Sequence, residues 1–336
     1  MRFTLFITLC FALFFEVRAQ ESGPQQPAPK KAKTPHRAGV TAPGIKRELS
    51  GIHPMAVFDA NSGTPDWQVL TDDAVWVTNG PRNAIHRLDV NANRIAVTIT
   101  VGKRPCSGLA AGFGSVWVPS CGDKTLSRVD IKTNAVVATI PAGPAESEGG
   151  IAATEDAVWL VTDRRGKLSR IDPKTNSVSA TVEVPAGSAS VLYGDGGIWI
   201  TTPAKNTLTR VDAKTNKVTD TIPVGPGPRF QTYGTGSVWT LNQGDGSISR
   251  VDTKTRTLVA TIEVGIPGEG GEIAFGLGRI WATVFEIPIS EIDPGTNRVV
   301  RQWFGDGGDS IRAGHGSVWL SNLRAHTVWR IDPKQL

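Results

Sequence analysis

The chain has 336 residues, of which 39% are hydrophobic and 20% are charged, and its formal net charge is +5. This composition is typical of a globular protein, and no apolar stretch is long enough to predict a membrane span. The basic excess lies in residues 1–53, since the segment 20–53 alone has six Lys and Arg against two Glu. The rest of the chain is close to neutral, which argues against a nucleic-acid-binding face.

The chain begins with a predicted secretory signal peptide, residues 1–19. A basic start at Arg2 is followed by an apolar run over residues 3–15, and the small residue Ala19 suits a cleavage site. The run is shorter than the roughly 20 residues that a membrane anchor needs. We therefore expect a periplasmic or secreted protein.

Residues 20–53 are rich in Pro, Gln, Ala and Lys and have few large apolar side chains. Such a segment buries too little surface to offset its ordering entropy. We interpret it as a flexible basic linker, acting as a solvated spacer rather than as an anchor to an anionic surface.

Residues 54–336 contain a sevenfold repeat. One tryptophan recurs at intervals of 38 to 42 residues: Trp76, Trp117, Trp159, Trp199, Trp239, Trp281 and Trp319. An aspartate that follows Val, Ile or Leu keeps step with it: Asp89, Asp130, Asp172, Asp212, Asp252, Asp293 and Asp332. Arg stands two residues before this aspartate in six copies, and Glu291 takes its place in the sixth.

Each copy predicts four short strands, as in "SGLAAG", "SVWVPS", "TLSRVD" and "AVVATIPAG" of the second copy. No segment has a sustained helical period. Four strands in about 40 residues are typical of a propeller blade, so the fold class is an all-β, seven-bladed β-propeller with four antiparallel strands per blade. The last copy lacks a fourth strand, and we expect the N-terminal segment Met55–Asp59 to supply it and close the ring.

Residues that recur in every copy are interpreted as structural, with the tryptophans packing between blades and the aspartates capping turns. Ligand-binding candidates are then the non-repeating residues in the loops at one end of the ring. They are Asn79, Arg82, Glu148, Asp163, Arg164, Arg229, Asn242, Glu272, Glu286, Asp309, Asn322 and Arg324. Their mixed charge favours a small polar molecule or a protein ligand on a monomeric propeller, and any single one of them is also compatible with a solvated loop residue.

Two cysteines flank the second tryptophan. Cys106 and Cys121 are equidistant from the turn centred between Phe113 and Gly114, so they face each other across the first two strands of that blade. In an oxidising compartment this pairing predicts a disulfide. The alternative, a catalytic thiol, is less favoured because neither flanking loop contains a histidine.

The stretches "VWVTN", "TLSRVDIKTNAVVATIPAG" and "VWLVTDRRGKLSRIDPKTNSVSATVEV" resemble the YVTN-type propeller repeat, and the region 54–336 resembles the streptogramin lyase (virginiamycin B lyase) superfamily. The resemblance implies a seven-bladed propeller. In that family a Trp-Phe-Thr-Glu motif and a channel histidine supply acid-base groups and a magnesium site. Here the third position after each tryptophan holds no carboxylate, so the lyase chemistry is not carried over.

Two functions therefore remain open. The first is an exported propeller that binds a ligand or acts as a scaffold. The second is a lyase- or lactonase-like enzyme in which Glu148, Glu272 and Asp309 hold Mg or Ca and Arg229 binds an oxyanion. Whether the protein is an enzyme stays undecided at this point.

Overall fold

The computed structural model of the protein describes residues 44–60, 63–266, 268 and 270–336. The predicted signal peptide and residues 20–43 of the predicted linker lie outside these ranges. Within them, the only helices are five single 3-10 turns. Their bounds are Leu49–Gly51, Gly80–Arg82, Pro203–Lys205, Leu323–Ala325 and Pro333–Gln335. None of these is long and apolar enough to cross a membrane.

The strands form seven antiparallel sheets, which we call blades and number from the first tryptophan. Blade 1 is β3 Pro65–Leu70, β4 Ala74–Asn79, β5 Ala84–Asp89 and β6 Arg94–Thr100, and blade 2 is β7 Ala110–Gly112, β8 Ser115–Ser120, β9 Thr125–Asp130 and β10 Ala135–Ile140. Blade 3 is β11 Ile151–Ala153, β12 Val158–Asp163, β13 Lys167–Asp172 and β14 Ser177–Glu183, and blade 4 is β15 Val191–Gly194, β16 Gly197–Thr202, β17 Thr207–Asp212 and β18 Lys217–Pro223. Blade 5 is β19 Pro228–Gly234, β20 Ser237–Asn242, β21 Ser247–Asp252 and β22 Thr257–Glu263, and blade 6 is β23 Glu272–Gly276, β24 Arg279–Val284, β25 Ile287–Asp293 and β26 Arg298–Phe304. Blade 7 is β27 Asp309–Gly314, β28 Ser317–Asn322, β29 Thr327–Ile331 and the N-terminal β2 Ala56–Asp59, and β1 Ile45–Glu48 joins blade 6.

The blades close into a ring. Each innermost strand contacts the innermost strand of the next blade, and β27 of blade 7 contacts β3 of blade 1. Strand β2 pairs antiparallel with β29, from Ala56 opposite Arg330 to Asp59 opposite Thr327. The predicted seven-bladed propeller and its closure by an N-terminal strand are therefore confirmed.

The described part of the predicted linker lies on the propeller. Strand β1 pairs in parallel with β26, the outer strand of blade 6. Leu49 and Ile52 follow it and are buried in the core shared by blades 6 and 7. His53 and Gln335 exchange two hydrogen bonds, of 2.9 Å and 2.7 Å. The ordered body therefore begins by Gly44, nine residues before the predicted linker ends.

All seven repeat tryptophans are buried, at 2% exposure or less. In five blades the indole N–H donates to the carbonyl of a glycine five residues earlier, as Trp199 does to Gly194 at 3.0 Å. Glycine is needed there because a Cβ on Gly194 would lie 2.7 Å from the Tyr233 ring of the next blade. The glycine five residues before the tryptophan thus accepts the indole N–H and leaves room for a side chain of the next blade.

The repeated arginine lies over the face of the tryptophan in six blades, at 4.6 to 5.9 Å from the ring centroid. Blade 6 replaces this arrangement by an ion-pair cluster. Buried Glu291 is held by Arg279 at 3.1 Å and by Arg301 at 2.8 Å. Blade 6 therefore has a glutamate in place of the repeated arginine, and two other arginines neutralise its negative charge.

The repeated aspartate caps a turn, as predicted. Asp130 accepts hydrogen bonds from the backbone N–H groups of Lys132 and Thr133, at 3.0 and 2.8 Å. The turn ends at Asn134, which has a left-handed φ of 56°. These carboxylates are structural.

Candidate functional site

The candidate site is the mouth of the central channel at the loop end of the ring. The structure places Glu272 and Asp309 at the first positions of β23 and β27, and Arg229 at the second position of β19. Glu148 lies in the loop that precedes β11. We call the group formed by Asp66, Glu148, Glu272 and Asp309 the mouth carboxylates.

Two of the mouth carboxylates form a pair across the junction of blades 7 and 1. The side chains of Asp66 in β3 and Asp309 in β27 interact across this junction. Burial raises the pKa of Asp66 well above its usual range, and the charges of Asp309 and Glu148 add to the rise. Burial also raises the pKa of Asp309, to about 6, although hydrogen bonds from Gly271 and Asp66 oppose the rise. Both carboxyl groups therefore hold their protons more tightly than exposed aspartates do.

Glu148 is the third carboxylate of this group. Burial and then the charge of Asp309 raise the pKa of Glu148 to about 7, whereas Arg229 opposes the rise. The guanidinium of Arg229 is itself occupied, because it donates to Glu146 at 2.9 Å and to the Ser147 carbonyl at 2.8 Å. Arg229 thus holds the loop that carries Glu148, and the predicted oxyanion role is not apparent in this geometry.

Glu272 has a structural environment. Its carboxylate forms an ion pair with Arg312 and accepts hydrogen bonds from Ser310 Oγ at 2.5 Å and from the Ile311 N–H at 3.2 Å. All three partners belong to β27, so Glu272 links blade 6 to blade 7. Because Arg312 neutralises its charge, Glu272 offers little net negative charge to a ligand at the mouth.

A divalent cation does not fit the described residues. No group of three or more His, Cys, Asp or Glu side chains among them is arranged to hold a metal ion. The predicted set of Glu148, Glu272 and Asp309 includes a carboxylate that Arg312 already neutralises. We therefore derive no chemical step through Mg or Ca.

The three asparagines of the predicted site have structural partners. Asn242 donates to Ser247 and Ser249 at 2.9 Å, and Asn322 accepts from the Gly308 N–H at 2.9 Å. Asn79 donates to the Ala60 carbonyl and contacts His86. All three are buried at strand ends; Asn79 and Asn322 support the segments that lead into β3 and β27, whereas Asn242 links β20 to β21 within blade 5.

The remaining predicted residues divide between mouth and rim. The guanidinium of Arg324 lies 4.3 Å from the centre of the Phe285 ring, and its charge lowers the pKa of Asp309. Asp163 pairs with Arg165 at 2.7 Å, and these bonds lower the pKa of Asp163 to about 2. On the outer rim the side chains are exposed: Arg82, Arg164 and Glu286.

Asp66 was missed by sequence reasoning. A signal was available, because Asp66 stands ten residues before Trp76, as Asp309 stands ten residues before Trp319. Its neighbour Trp67 packs against Phe230 of blade 5, with ring centroids 5.6 Å apart. Both rings line a cavity of about 260 Å³ that residues from all seven blades enclose.

The predicted disulfide is present. Cys106 and Cys121 are bonded, with their Cα atoms 5.9 Å apart, and each is 8% exposed. The backbone register shifts by two residues beside the bond, because Ala110 is opposite Trp117 in the hairpin whereas Pro105 bridges Ser120. The equal distance of the cysteines from the turn therefore identified the right pair, although the backbone pairing next to them differs from that of the hairpin.

Seven four-stranded blades around a channel define the class of the protein as a seven-bladed β-propeller. A scan of protein-family models and a search of curated proteins find no match. Among solved structures, the chain is similar to a streptogramin B lyase at 20% identity and a TM-score of 0.69, over 82% of this chain and 96% of that one.

Two structures of virginiamycin B lyase from Staphylococcus aureus are also similar. A selenomethionine form has 15% identity and a TM-score of 0.68, over 82% of this chain and 97% of that one. A catalytically inactive variant with quinupristin has 17% identity and a TM-score of 0.68, over 80% and 95%. These likenesses confirm the fold that the repeat resemblance implied.

Proposed function

We propose that the protein is an exported propeller that binds a small polar ligand at the loop end of its channel. The observation that carries this proposal is the grouping of Asp66, Glu148 and Asp309, three carboxyl groups that separate parts of the chain bring together at the channel mouth. Carboxyl groups with raised pKa values in a concave site are a frequent mark of a functional site.

The charges at the mouth favour a ligand that presents a cationic group. Arg312 is paired with Glu272, and Arg229 is paired with Glu146. The ion pairs of the described residues do not include the carboxyl groups of Asp66, Asp309 or Glu148, and Arg324 and Arg229 act on the last two only through their charge. An ammonium group at this point would stabilise their ionised forms, and its binding would release protons.

Export is supported by two features. The first is the apolar segment of residues 3–15 behind Arg2. The second is the disulfide, a bond typical of oxidising compartments.

Calorimetric titration with benzylamine and ethanolamine tests the ligand class, with propionate as the anionic comparison. We expect binding of the amines with proton release, which is measured by repeating the titration in buffers of different ionisation enthalpy. Asp66→Asn and Asp309→Asn should abolish both signals, whereas Asp306→Asn, at an exposed carboxylate of the same loop, should not. Preferred binding of propionate, or amine binding that survives both substitutions, contradicts the proposal.

A second candidate function is a lyase- or lactonase-like enzyme. The pair favours it because protonated Asp66 is a potential general acid, while Asp309 and Glu148 are potential bases near neutral pH. A panel of lactones and cyclic depsipeptides, analysed by mass spectrometry, separates the two reactions. Hydrolysis adds one water to the substrate mass, whereas ring-opening elimination leaves the mass unchanged. If the wild-type protein turns over none of these substrates, or if turnover persists in Asp309→Asn, the enzyme hypothesis fails and only the binding function remains.

A further inference from the structure

The disulfide lies beside the loop that carries Glu148. Cys106 precedes β7 of blade 2, and Cys121 follows β8 of the same blade. Backbone hydrogen bonds flank the bond on both sides, from Cys106 to the Pro119 carbonyl at 3.4 Å and from Cys121 to the Arg104 carbonyl at 3.0 Å. The segment around Cys106 is therefore tied to the rigid sheet of blade 2.

The same segment holds the next loop through three hydrogen bonds. The Glu148 N–H donates to the Cys106 carbonyl at 2.9 Å, and the Gly108 N–H donates to the Gly149 carbonyl at 2.9 Å. Ser107 Oγ donates to the Glu146 carbonyl at 3.3 Å. A disulfide-bonded residue is thus the direct backbone partner of Glu148.

Glu148 needs such support because its backbone is in an unfavourable region. Its φ is 59°, in the left-handed region where a residue with a side chain is uncommon. Conformations of this kind persist where the surroundings determine them, and they concentrate at functional sites. Arg229 holds the loop on the side of blade 5, and the Cys106 carbonyl holds it on the side of blade 2.

We propose that the Cys106–Cys121 disulfide positions Glu148 at the channel mouth. Opening the disulfide leaves the segment 104–107 held to blade 2 by backbone hydrogen bonds alone, which weakens the bond between the Cys106 carbonyl and the Glu148 N–H. Glu148 then leaves its left-handed conformation and withdraws its carboxyl group from Asp309. The consequence for ligand binding rests on the proposed function, whereas the consequence for the loop does not.

Hydrogen exchange followed by mass spectrometry tests the positioning in the full chain. In the double variant Cys106→Ala with Cys121→Ala, and in the wild-type protein treated with dithiothreitol, we expect peptides covering residues 145–150 to exchange at least about tenfold faster. Peptides from blade 5 should keep their rates. The affinity for benzylamine should fall in parallel.

The control is Val211→Ala, which opens a cavity at a fully buried site of blade 4. It should lower the unfolding midpoint without selective acceleration at residues 145–150. If the disulfide variant behaves like this control, the disulfide only stabilises the fold and the proposal is overturned. If the loop accelerates but the wild-type protein binds no amine, the positioning stands and the proposed function fails.

Discussion

The same repeat places the tryptophan of each blade and the residue ten positions before it. The tryptophan is constant and buried, whereas the earlier residue varies from blade to blade. Each tryptophan is buried, and in most blades it is covered by an arginine and bonded to the same glycine carbonyl. The earlier position, at or near the start of the innermost strand, holds seven residues of five kinds: Asp66, Ser107, Gly149, Ala189, Arg229, Gly271 and Asp309.

The difference shows how the fold separates stability from chemistry. The tryptophan contacts the next blade, so each copy has the same requirement. The earlier position lies at the mouth of the channel. No residue of the neighbouring blade is required there in every copy, so its side chain can differ from blade to blade. Two adjacent blades, 7 and 1, place aspartates there, and these form the carboxyl pair of Asp309 and Asp66.

Removal of the closing strand should have the largest effect on stability, because all seven blades depend on closure of the ring. Deletion of residues 1–59 leaves β29 without its partner and exposes the edge of blade 7. We expect loss of the cooperative unfolding transition, measured by tryptophan fluorescence in urea. Deletion of residues 20–43 should preserve the transition, and an equal loss there would show that closure is not the cause.

Truncation of one framework tryptophan comes next. Trp239 is fully buried, and its N–H donates to the Gly234 carbonyl at 3.0 Å. Trp239→Ala should lower the free energy of unfolding by about 3–5 kcal/mol. The control Leu277→Ala, at a side chain 45% exposed, should change it by less than about 0.5 kcal/mol. Similar losses at both sites would remove the distinction between framework and surface.

The exception in blade 6 offers a sharper test of the framework. Glu291→Ala leaves Arg279 and Arg301 facing each other without their carboxylate and should cost about 2–3 kcal/mol, since both arginines keep part of their solvent. Glu291→Arg combined with Arg279→Ser and Arg301→Ala recreates the arrangement of blades 2, 5 and 7, where a serine accepts from the arginine and an alanine lies opposite it. The triple variant should recover most of the loss. A triple variant less stable than Glu291→Ala would contradict this account of the exchange.

Substitution of Glu148 at the channel mouth should have the smallest effect on the free energy of unfolding, and it should stabilise the protein rather than destabilise it. The pKa of Glu148 rises from 4.5 to about 7 on folding, so the folded protein binds the proton more tightly than the unfolded chain. Between these pH values the free energy of unfolding therefore falls as pH rises. Glu148→Gln should be more stable than the wild type by on the order of 1–2 kcal/mol at pH 8 and equal to it at pH 4. Glu183→Gln, at an exposed carboxylate, should follow the wild-type curve in the same urea titrations.

The fold was predictable because a repeat multiplies weak signals. The Trp-to-Asp spacing located the strands to within a few residues, and the equal distance of the two cysteines from the hairpin turn identified the disulfide. Strand β1 escaped prediction because it is held by parallel backbone pairing to β26, which composition does not reveal. The two buried side chains that follow it, Leu49 and Ile52, are too few to form a pattern.

The site was less predictable, for local reasons. Asn79, Asn242 and Asn322 have the polarity of ligand contacts, but they are buried at strand ends, where Asn79 and Asn322 bond backbone groups and Asn242 bonds serine hydroxyls of the next strand. Glu272 has the charge of a metal ligand, but Arg312 on the next blade neutralises it. Partners on other blades decide both cases, and a single sequence does not contain that information.

The meeting of the two chain ends in blade 7 has a consequence for biosynthesis. Strand β2 precedes all seven repeat tryptophans in the chain, whereas its partner β29 follows them. The early strand therefore stays without this partner until the intervening blades have been synthesised. The bonds between His53 and Gln335 also keep the termini of the ordered body adjacent, so a circularly permuted gene that joins them and opens a surface turn of another blade should yield the same ring.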